Sequence, residues 1–436
     1  MTMKQTVLRL AIPAALKHLL DIIQILIDMI MVGALGVSAL AAVGLSMQFI
    51  MVIQALMSLY VVGSGVLIAR YIGSGRRNRA AVVLNMAILF ALAGAFIVGS
   101  IGWLFADDFF RWMGSGDDVI KLGSAYFKIL CLGMGLIFLD ALAYNALSSA
   151  GDTRSSLVIK IVSAVIHIGL NYLFIFGHGG FPAMGVEGAA YATLCSYTFN
   201  LLAYGWVLLR SNGVMKFVPL GSLRELKRML HIGMPAAFER FAGSGSFLLF
   251  VGMIASCGTH TLAGYQIGLR VEALAFMPGF GFSVAAMALA GQYIGAKNYE
   301  YAYDSGILSA KIAMIFMGSV GVVLFAFPEF LVSWFTTDST TIEQASLYLR
   351  FVGIVQLPLA LTFVLSGALR GAGATRLSMQ ITILSLWIFR LIPSYIALKL
   401  GWGIIGIYSA MSFETLIKGW WFWKVYRKKE WLNHKV

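Results

Sequence analysis

Twelve apolar runs dominate this sequence, each close to the roughly 20 residues that a helix needs to cross the hydrocarbon core of a bilayer. Hydrophobic residues make up 60% of the 436 positions and charged residues only 12%, whereas a soluble chain has about 25% charged residues. The sequence therefore predicts an all-α polytopic membrane protein with 12 transmembrane helices, and it excludes disordered, fibrous and nucleic-acid-binding proteins. The approximate spans are 9–33, 44–69, 82–105, 122–147, 156–177, 187–209, 231–255, 263–293, 305–327, 344–368, 377–399 and 404–425.

Basic residues are distributed unevenly among the segments between these runs. If both termini are cytoplasmic, 20 Lys and Arg residues lie in cytoplasmic segments, and only Arg111, Lys121 and Lys399 lie on the opposite side. Such an excess of cytoplasmic Lys and Arg sets the orientation of membrane proteins. We therefore interpret the formal charge of +13 as that of a multi-pass protein of the plasma (inner) membrane, with cytoplasmic N- and C-termini that contact membrane lipids.

The second half of the sequence repeats the first at a constant offset of 222 residues, so that Tyr71–Gly73 matches Tyr293–Gly295. Each copy holds six predicted helices. Because six is even, the copies have the same orientation and are related by a pseudo-twofold axis along the membrane normal. We predict an N-terminal lobe at 1–215 and a C-terminal lobe at 216–436, which alternate access to a central site by rocking.

Polar residues form one stripe along the first span: Lys17, Asp21, Gln24 and Asp28 follow each other at helical spacing on one face. Lys17 and Asp21 lie nearer the cytoplasmic end, and we expect them to pair with each other. Asp28 lies deeper among apolar residues, and an ionisable group at that depth is costly and usually functional. We expect Asp28 to take up and release a proton, the alternative being a carboxylate satisfied by amides of the fifth span.

The fifth span has its own polar stripe, formed by Lys160, Ser163, His167 and Asn171. Asn171 and His167 are the expected partners for Asp28 or for an ion beside it, although a lone histidine on an apolar face is more often a packed core residue. Thr193 adds a hydroxyl group from the sixth span. We predict that Asp28, Asn171, His167 and Thr193 bind the coupling cation.

The polar residues differ between the two copies, since Asp28 matches Phe250 and Lys17 matches Glu239. Glu239 is thus a carboxylate inside the second lobe. The charged residues expected on or near its neighbouring helices are Arg240, Arg270, Glu272, Arg390 and Glu414. Two alternatives stay open for them: a self-neutralising structural network, or a lining of the substrate cleft. The candidates for that lining are Glu239, Asp140, Gln24, Arg270 and Glu272.

The sequence contains none of the motifs typical of nucleotide binding or catalysis, such as GxxxxGK[ST], HExxH, GxSxG or a Rossmann fingerprint. We therefore predict a protein that is not an enzyme, needs no cofactor or nucleotide, and draws its energy from an ion gradient. No metal site is predicted beyond Na⁺ at Asp28 and Asn171.

Several segments, taken in order along nearly the whole chain, resemble the multidrug and toxic compound extrusion (MATE) family. The resemblance implies two lobes in a V that export amphipathic, often cationic, small-molecule drugs in exchange for H⁺ or Na⁺. The family's first-helix aspartate looks like Asp28, its fifth-helix Asn or Asp looks like Asn171, and its seventh-helix glutamate region includes Glu239. The segments that carry the resemblance are Ala11–Pro13, Ile27–Gly33, Ala150–Arg154, Leu170–Gly177, Gln292–Ala296 and Gly371–Arg376.

Two departures from one branch of this family favour coupling at Asp28 in the first lobe. Glu239 lies closer to Pro235 than that branch's glutamate, and an apolar residue near Leu359 replaces its tenth-helix aspartate. The alternative functions are a flippase for a lipid-linked saccharide, another 12-helix exporter of the major facilitator type, and an ion channel. We expect a monomer.

Overall fold

The computed structural model of the protein describes residues 2–210 and 223–434, and these residues form helices and turns with no strand. The prediction of an all-α fold is confirmed. The helices are α1 (Met3–Gly33), α2 (Val37–Gly73), α3 (Arg77–Leu104), α4 (Ala106–Trp112), α5 (Asp117–Leu132), α6 (Met134–Ser149), α7 (Thr153–Phe176), α8 (Gly185–Arg210), α9 (Leu223–Ala255), α10 (Thr259–Gly295), α11 (Tyr299–Ala326), α12 (Pro328–Val332), α13 (Ser339–Ile354), α14 (Gln356–Gly371), α15 (Thr375–Leu384), α16 (Ile392–Lys399) and α17 (Gly403–Arg427), with a π-helix at Ser385–Leu391 and a 3₁₀-helix at Glu430–Asn433.

Nine helices in the described part of the chain are long and apolar enough to cross a membrane, and the number rises to eleven when two bent pairs each count as one span. The twelfth predicted span coincides with α17, whose apolar character is lowered by Glu414 and Lys418. These two side chains are almost fully buried and lie 2.8 Å apart as an ion pair. A buried charge is tolerated inside a membrane protein when it is paired in this way.

Two spans predicted as continuous helices are instead bent. The predicted span 122–147 is α5 followed by α6 at 58°, and the predicted span 344–368 is α13 followed by α14 at 59°. Pro358 explains the second bend, because proline has no N–H to bond the carbonyl of Ile354 and its ring clashes there. At the first bend Gly133 touches the side chain of Leu194, which would overlap any added Cβ.

The chain forms two compact units. The first unit comprises Lys17–Gly233, and the second comprises Met1–Leu16 together with Met234–Val436. Each division therefore falls inside a helix, α1 or α9. The predicted lobe boundary at 215–216 lies outside the described residues.

In each unit, the start of a helix packs closely onto a neighbour through small residues. In the first unit, α9 crosses α2 so closely that a Cβ at Gly63 would overlap the carbonyl oxygen of Met229. In the second unit, the start of α1 meets α10, where Val7 and Ala11 join a buried core with Ala285. Small residues allow helix backbones to approach in this way inside a membrane, where van der Waals packing stabilises helix pairs.

Candidate functional site

The two predicted polar stripes meet inside the first unit, where α1 and α7 lie side by side. Asn171 Nδ2 donates a hydrogen bond of 2.7 Å to Asp28 Oδ1. His167 Nδ1 lies 3.3 Å from the same oxygen. Asn171 and His167 are buried, whereas the Asp28 side chain keeps 20% of its surface exposed. The expected contacts of Asp28 with Asn171 and His167 are thus present.

His167 is held at both ring nitrogens, and its partners indicate which nitrogen carries the proton. Gln24 Nε2 lies 2.8 Å from Nδ1, and an amide nitrogen can only donate. Nδ1 therefore accepts, which leaves the ring proton on Nε2, 3.2 Å from Thr193 Oγ1. The Thr193 hydroxyl in turn donates 2.9 Å to the carbonyl oxygen of Ala189. The imidazole is consequently neutral and fixed in position.

Asp21 lies between two lysines toward the cytoplasmic end of the same stripes. The expected pair is present, with Lys17 Nζ 2.8 Å from Asp21 Oδ2. Lys160 Nζ lies 2.8 Å from Asp21 Oδ1 and also donates to Gln24 Oε1. A continuous chain of polar contacts therefore runs from Asp21 through Lys160, Gln24 and His167 to Asp28. The stripe pattern contained Lys160 but did not identify it as a partner of Asp21.

Asp140 on α6 lies outside this chain of contacts. Its Oδ1 is buried and has no hydrogen-bond partner among the described residues, as is also true of Asn200 Oδ1 on α8. No hydrogen bond or ion pair within residues 2–210 joins Asp140 to Asp28, Asn171 or His167. Asp140 instead interacts with Asn200 and with the charges of Lys17 and Lys160.

Glu239 in the second unit does not belong to the network that its neighbours in sequence suggested. Its carboxylate accepts from Arg370 Nη2 at 3.3 Å and from the hydroxyls of Ser378 at 3.4 Å and Thr382 at 3.0 Å. Arg370 was expected in a cytoplasmic loop, but it is in the last turn of α14. The proximity of Glu239 to this helix end and to the first turns of α15 places it near the predicted cytoplasmic side.

The remaining charged residues expected around Glu239 fall into separate groups. Tyr348 donates to the buried Glu272, and Arg270 is exposed. Arg390 Nη2 lies 2.7 Å from the fully buried Glu414, which is also paired with Lys418. Glu239 and Arg370 thus form one group, while Arg390, Glu414 and Lys418 form another, so the charged residues of this unit do not form direct ion pairs as a single network.

The Arg390 group occupies the place in the second repeat that corresponds to Asp28 in the first. The guanidinium of Arg390 lies 5.5 Å from the ring of Phe250, which is the sequence match of Asp28. Arg390 belongs to the π-helix, which ends at Leu391, and Pro393 follows two residues after that end. The lack of an N–H at Pro393 explains why regular α-helical bonding is interrupted here. The two repeats thus place opposite charges at related positions.

The described residues contain no group of three or more His, Cys, Asp or Glu side chains that could hold a metal ion. The two contacts of Asp28 Oδ1 within hydrogen-bond or ion-pair distance are made by nitrogen atoms, one of Asn171 and one of His167. The donor atom that faces Asp28 is the amide nitrogen of Asn171. Nitrogen contacts of this kind are not the oxygen ligands that hard cations prefer.

Comparison with known proteins connects this geometry to a family. The MatE family model matches residues 13–173 and 235–396, one copy in each repeat. The probable multidrug resistance protein NorM of Thermotoga maritima is 30% identical over 418 residues, which cover 95% of this chain and 90% of that protein. A protein of Shewanella oneidensis named FAD transporter is 26% identical, with 94% of this chain and 92% of that protein covered.

A solved structure of a MOP superfamily transporter from Pyrococcus furiosus has the same fold, at a TM-score of 0.92 and 22% identity, and the match covers 100% of this chain and 98% of that one. This likeness confirms a 12-helix, two-lobe membrane fold. Since the family model covers both repeats and the NorM relative spans nearly the whole chain, this protein belongs to the MatE family of membrane transporters.

Proposed function

We propose that the protein is a secondary active multidrug exporter that moves amphipathic, often cationic, compounds out of the cell in exchange for H⁺ or Na⁺ by alternating access. Asp28 is the coupling carboxylate, and Asn171, His167 and Thr193 hold it and respond to its charge. The observation that carries the proposal is the 3.3 Å contact between His167 Nδ1 and Asp28 Oδ1. The site lies in the inner membrane with both termini cytoplasmic, and the working unit is a monomer.

That contact favours H⁺ over Na⁺ as the coupling ion. Because Nδ1 accepts from Gln24, it is an acceptor that faces a second acceptor when Asp28 is ionised. A proton on Asp28 removes this repulsion, and Asp28 can donate an O–H···N hydrogen bond to Nδ1 only if the Gln24 amide releases that nitrogen. Na⁺ would instead need several oxygen ligands, whereas the two groups that contact Asp28 Oδ1 both present nitrogen atoms.

Asn171 gives the site a second way to distinguish the two charge states of Asp28. Its amide nitrogen donates to the carboxylate, while its own Oδ1 is buried without a hydrogen-bond partner in the described residues. An unpartnered buried carbonyl costs about 1–3 kcal/mol. A protonated Asp28 can donate to that oxygen after the amide rotates, and this removes the cost. Proton uptake would therefore rearrange the contact between α1 and α7.

The substrate exchanges with the proton near the exposed part of the Asp28 side chain. A cationic drug stabilises the ionised carboxylate, and protonation removes that attraction and releases the drug. Gln24, Asp140, Glu239, Arg270 and Glu272 are further candidates for the cleft lining. For Gln24 we favour a positioning role, because its amide already bonds Lys160 and His167.

The test is efflux of a fluorescent lipophilic cation from proteoliposomes, with a pH gradient and a Na⁺ gradient imposed separately. We expect the pH gradient to drive efflux in the native chain and Asp28→Asn to abolish it. The matched control is Glu239→Gln, which neutralises a buried carboxylate of the second unit. This variant should keep the dependence of efflux on the pH gradient.

Other outcomes would redirect the proposal. Efflux driven only by Na⁺ would overturn the preference for H⁺, and gradient-driven efflux that survives Asp28→Asn but not Glu239→Gln would move coupling to the second unit. No efflux under either gradient would favour the flippase alternative. Because one relative is named FAD transporter, FAD should be included as a second substrate in the same assay.

A further inference from the structure

An open groove lies at the end of α17 on the predicted cytoplasmic side. Its volume is about 540 Å³, and its lining consists of Trp420, Trp423, Lys424, Arg427 and Lys428. Three of these five side chains are cations and the other two are tryptophans. Such a lining attracts an anionic group and provides apolar walls around it.

The cations of the groove are not neutralised by carboxylates. None of Lys424, Arg427 and Lys428 forms an ion pair with any residue in the described ranges. Two of them instead lie over aromatic rings, with Lys424 Nζ 4.9 Å from the centre of Trp420 and the Arg427 guanidinium 5.8 Å from that of Trp423. A cation over an aromatic ring keeps its charge available to an external anion.

The chain around the groove is anchored. Trp431 is buried, stacks on Tyr426 at 4.6 Å and donates from Nε1 to the Tyr426 carbonyl oxygen at 2.9 Å. Tyr426 in turn donates 3.0 Å to the carbonyl oxygen of Tyr303 on α11. The basic residues at the end of α17 are therefore held in a fixed arrangement, which lowers the entropy lost when they bind an anion.

Exposed apolar side chains continue from the groove along α17. Phe413, Leu416 and Trp420 follow at spacings of three and four residues, so they share one helix face, and each is about half exposed. A free phosphate would make no contact with this apolar strip, whereas an acyl chain attached to a phosphate would pack along it.

We propose that this groove binds the phosphate headgroup of an anionic phospholipid from the inner leaflet, with the acyl chains along Phe413, Leu416 and Trp420. The positive charge comes from Lys424, Arg427 and Lys428. The glycerol region of the lipid lies between Trp420 and Trp423. This lipid site is separate from Asp28 and goes beyond the proposed export function.

The experiment measures binding of a short-chain phosphatidylglycerol to the purified full-length protein in detergent, with phosphatidylcholine of the same chain length and inorganic phosphate in parallel. The test variant combines Lys424→Gln, Arg427→Gln and Lys428→Gln. The matched control combines Arg154→Gln, Lys297→Gln and Arg376→Gln, which removes the same charge from three exposed positions elsewhere. Circular dichroism and size-exclusion chromatography check the fold of both.

We expect phosphatidylglycerol to bind the native chain at least tenfold more tightly than phosphatidylcholine. The groove variant should lose roughly fivefold in affinity for each cation removed, and the control variant should lose less than about twofold in total. Equal losses in the two variants would mean diffuse attraction by net charge and would overturn the site. Inorganic phosphate that binds as tightly as phosphatidylglycerol would show a free-phosphate site and would overturn the assignment to a lipid.

Discussion

The buried Asn171 amide donates to the Asp28 carboxylate across 2.7 Å and so connects α7 to α1. The second repeat has no such connection, because the matching residues there are Phe250 and Pro393. A duplicated scaffold therefore carries the amide–carboxylate pair in one copy only. A six-helix repeat can therefore fold without the pair, as expected if the pair has the transport role proposed for it.

Replacing Asn171 by Ala should uncouple transport while leaving the protein folded. A hydrogen bond to a charged group contributes about 1.5–3 kcal/mol, so its loss should lower the initial rate of pH-gradient-driven efflux by roughly tenfold or more. The matched control is Asn145→Ala, which truncates another asparagine of the first unit whose hydrogen bond is to Ser149 and not to Asp28. Equal losses of efflux in the two variants would contradict a specific role for Asn171.

The two lysines that bind Asp21 should prove redundant for stability. Either Lys17→Met or Lys160→Met leaves one cation 2.8 Å from the carboxylate, so each should cost less than about 1 kcal/mol. The double variant leaves Asp21 without a lysine. It should cost about 2–3 kcal/mol, below the full penalty of a buried unpaired charge because Asp21 is about a third exposed. Thermal unfolding of the native protein, the two single variants and the double variant measures how far the losses of stability depart from additivity. Additive losses would show that the two lysines do not share the pairing with Asp21.

Glu239 and Arg370 should show an energetic coupling in a double-mutant cycle. The pair is 3.3 Å apart, with the Glu239 side chain 10% and the Arg370 side chain 30% exposed. We expect Glu239→Gln and Arg370→Met to couple by about 1–2 kcal/mol in denaturant unfolding. The control cycle is Glu329 with Arg350, a shorter but half-exposed pair of the same unit, which should couple by less than about 1 kcal/mol. Similar values in both cycles would show that burial adds nothing here.

The sequence was sufficient to predict which polar residues of the first unit contact one another, because both stripes follow helical spacing. Gln24 and Asp28 on one helix, and His167 and Asn171 on the other, each repeat every three or four residues. Since both helices are odd-numbered spans that run in the same direction, depths along one correspond to depths along the other. The pattern thus identified the facing residues before the helices were placed.

The same reasoning did not find the partners of Glu239, because they lie at helix ends and do not form a polar stripe along one helix. Arg370 ends α14 just beyond the predicted span 344–368, whereas Ser378 lies at the very start of the next predicted span. A hydrophobic pattern predicts which face of a helix is buried. It does not predict which end of another helix packs against that face. The bend before Pro358 was not predicted either, since Pro13, Pro235 and Pro278 all lie inside continuous helices.

Close packing of α9 on α2 predicts that Gly63 cannot be enlarged. A Cβ at this position would overlap the backbone carbonyl of Met229, which has no side-chain freedom to move away. We expect Gly63→Ala to destabilise the protein by about 1–3 kcal/mol through overpacking. The matched control on the same helix is Gly44→Ala, because Gly44 has no atom within 4 Å of an added Cβ. There the alanine should be neutral or stabilise by up to about 1 kcal/mol, since it removes the entropy cost of a helical glycine. Thermal unfolding in detergent decides the matter: if the two variants unfold at the same temperature, α9 and α2 do not pack at this distance in the membrane protein.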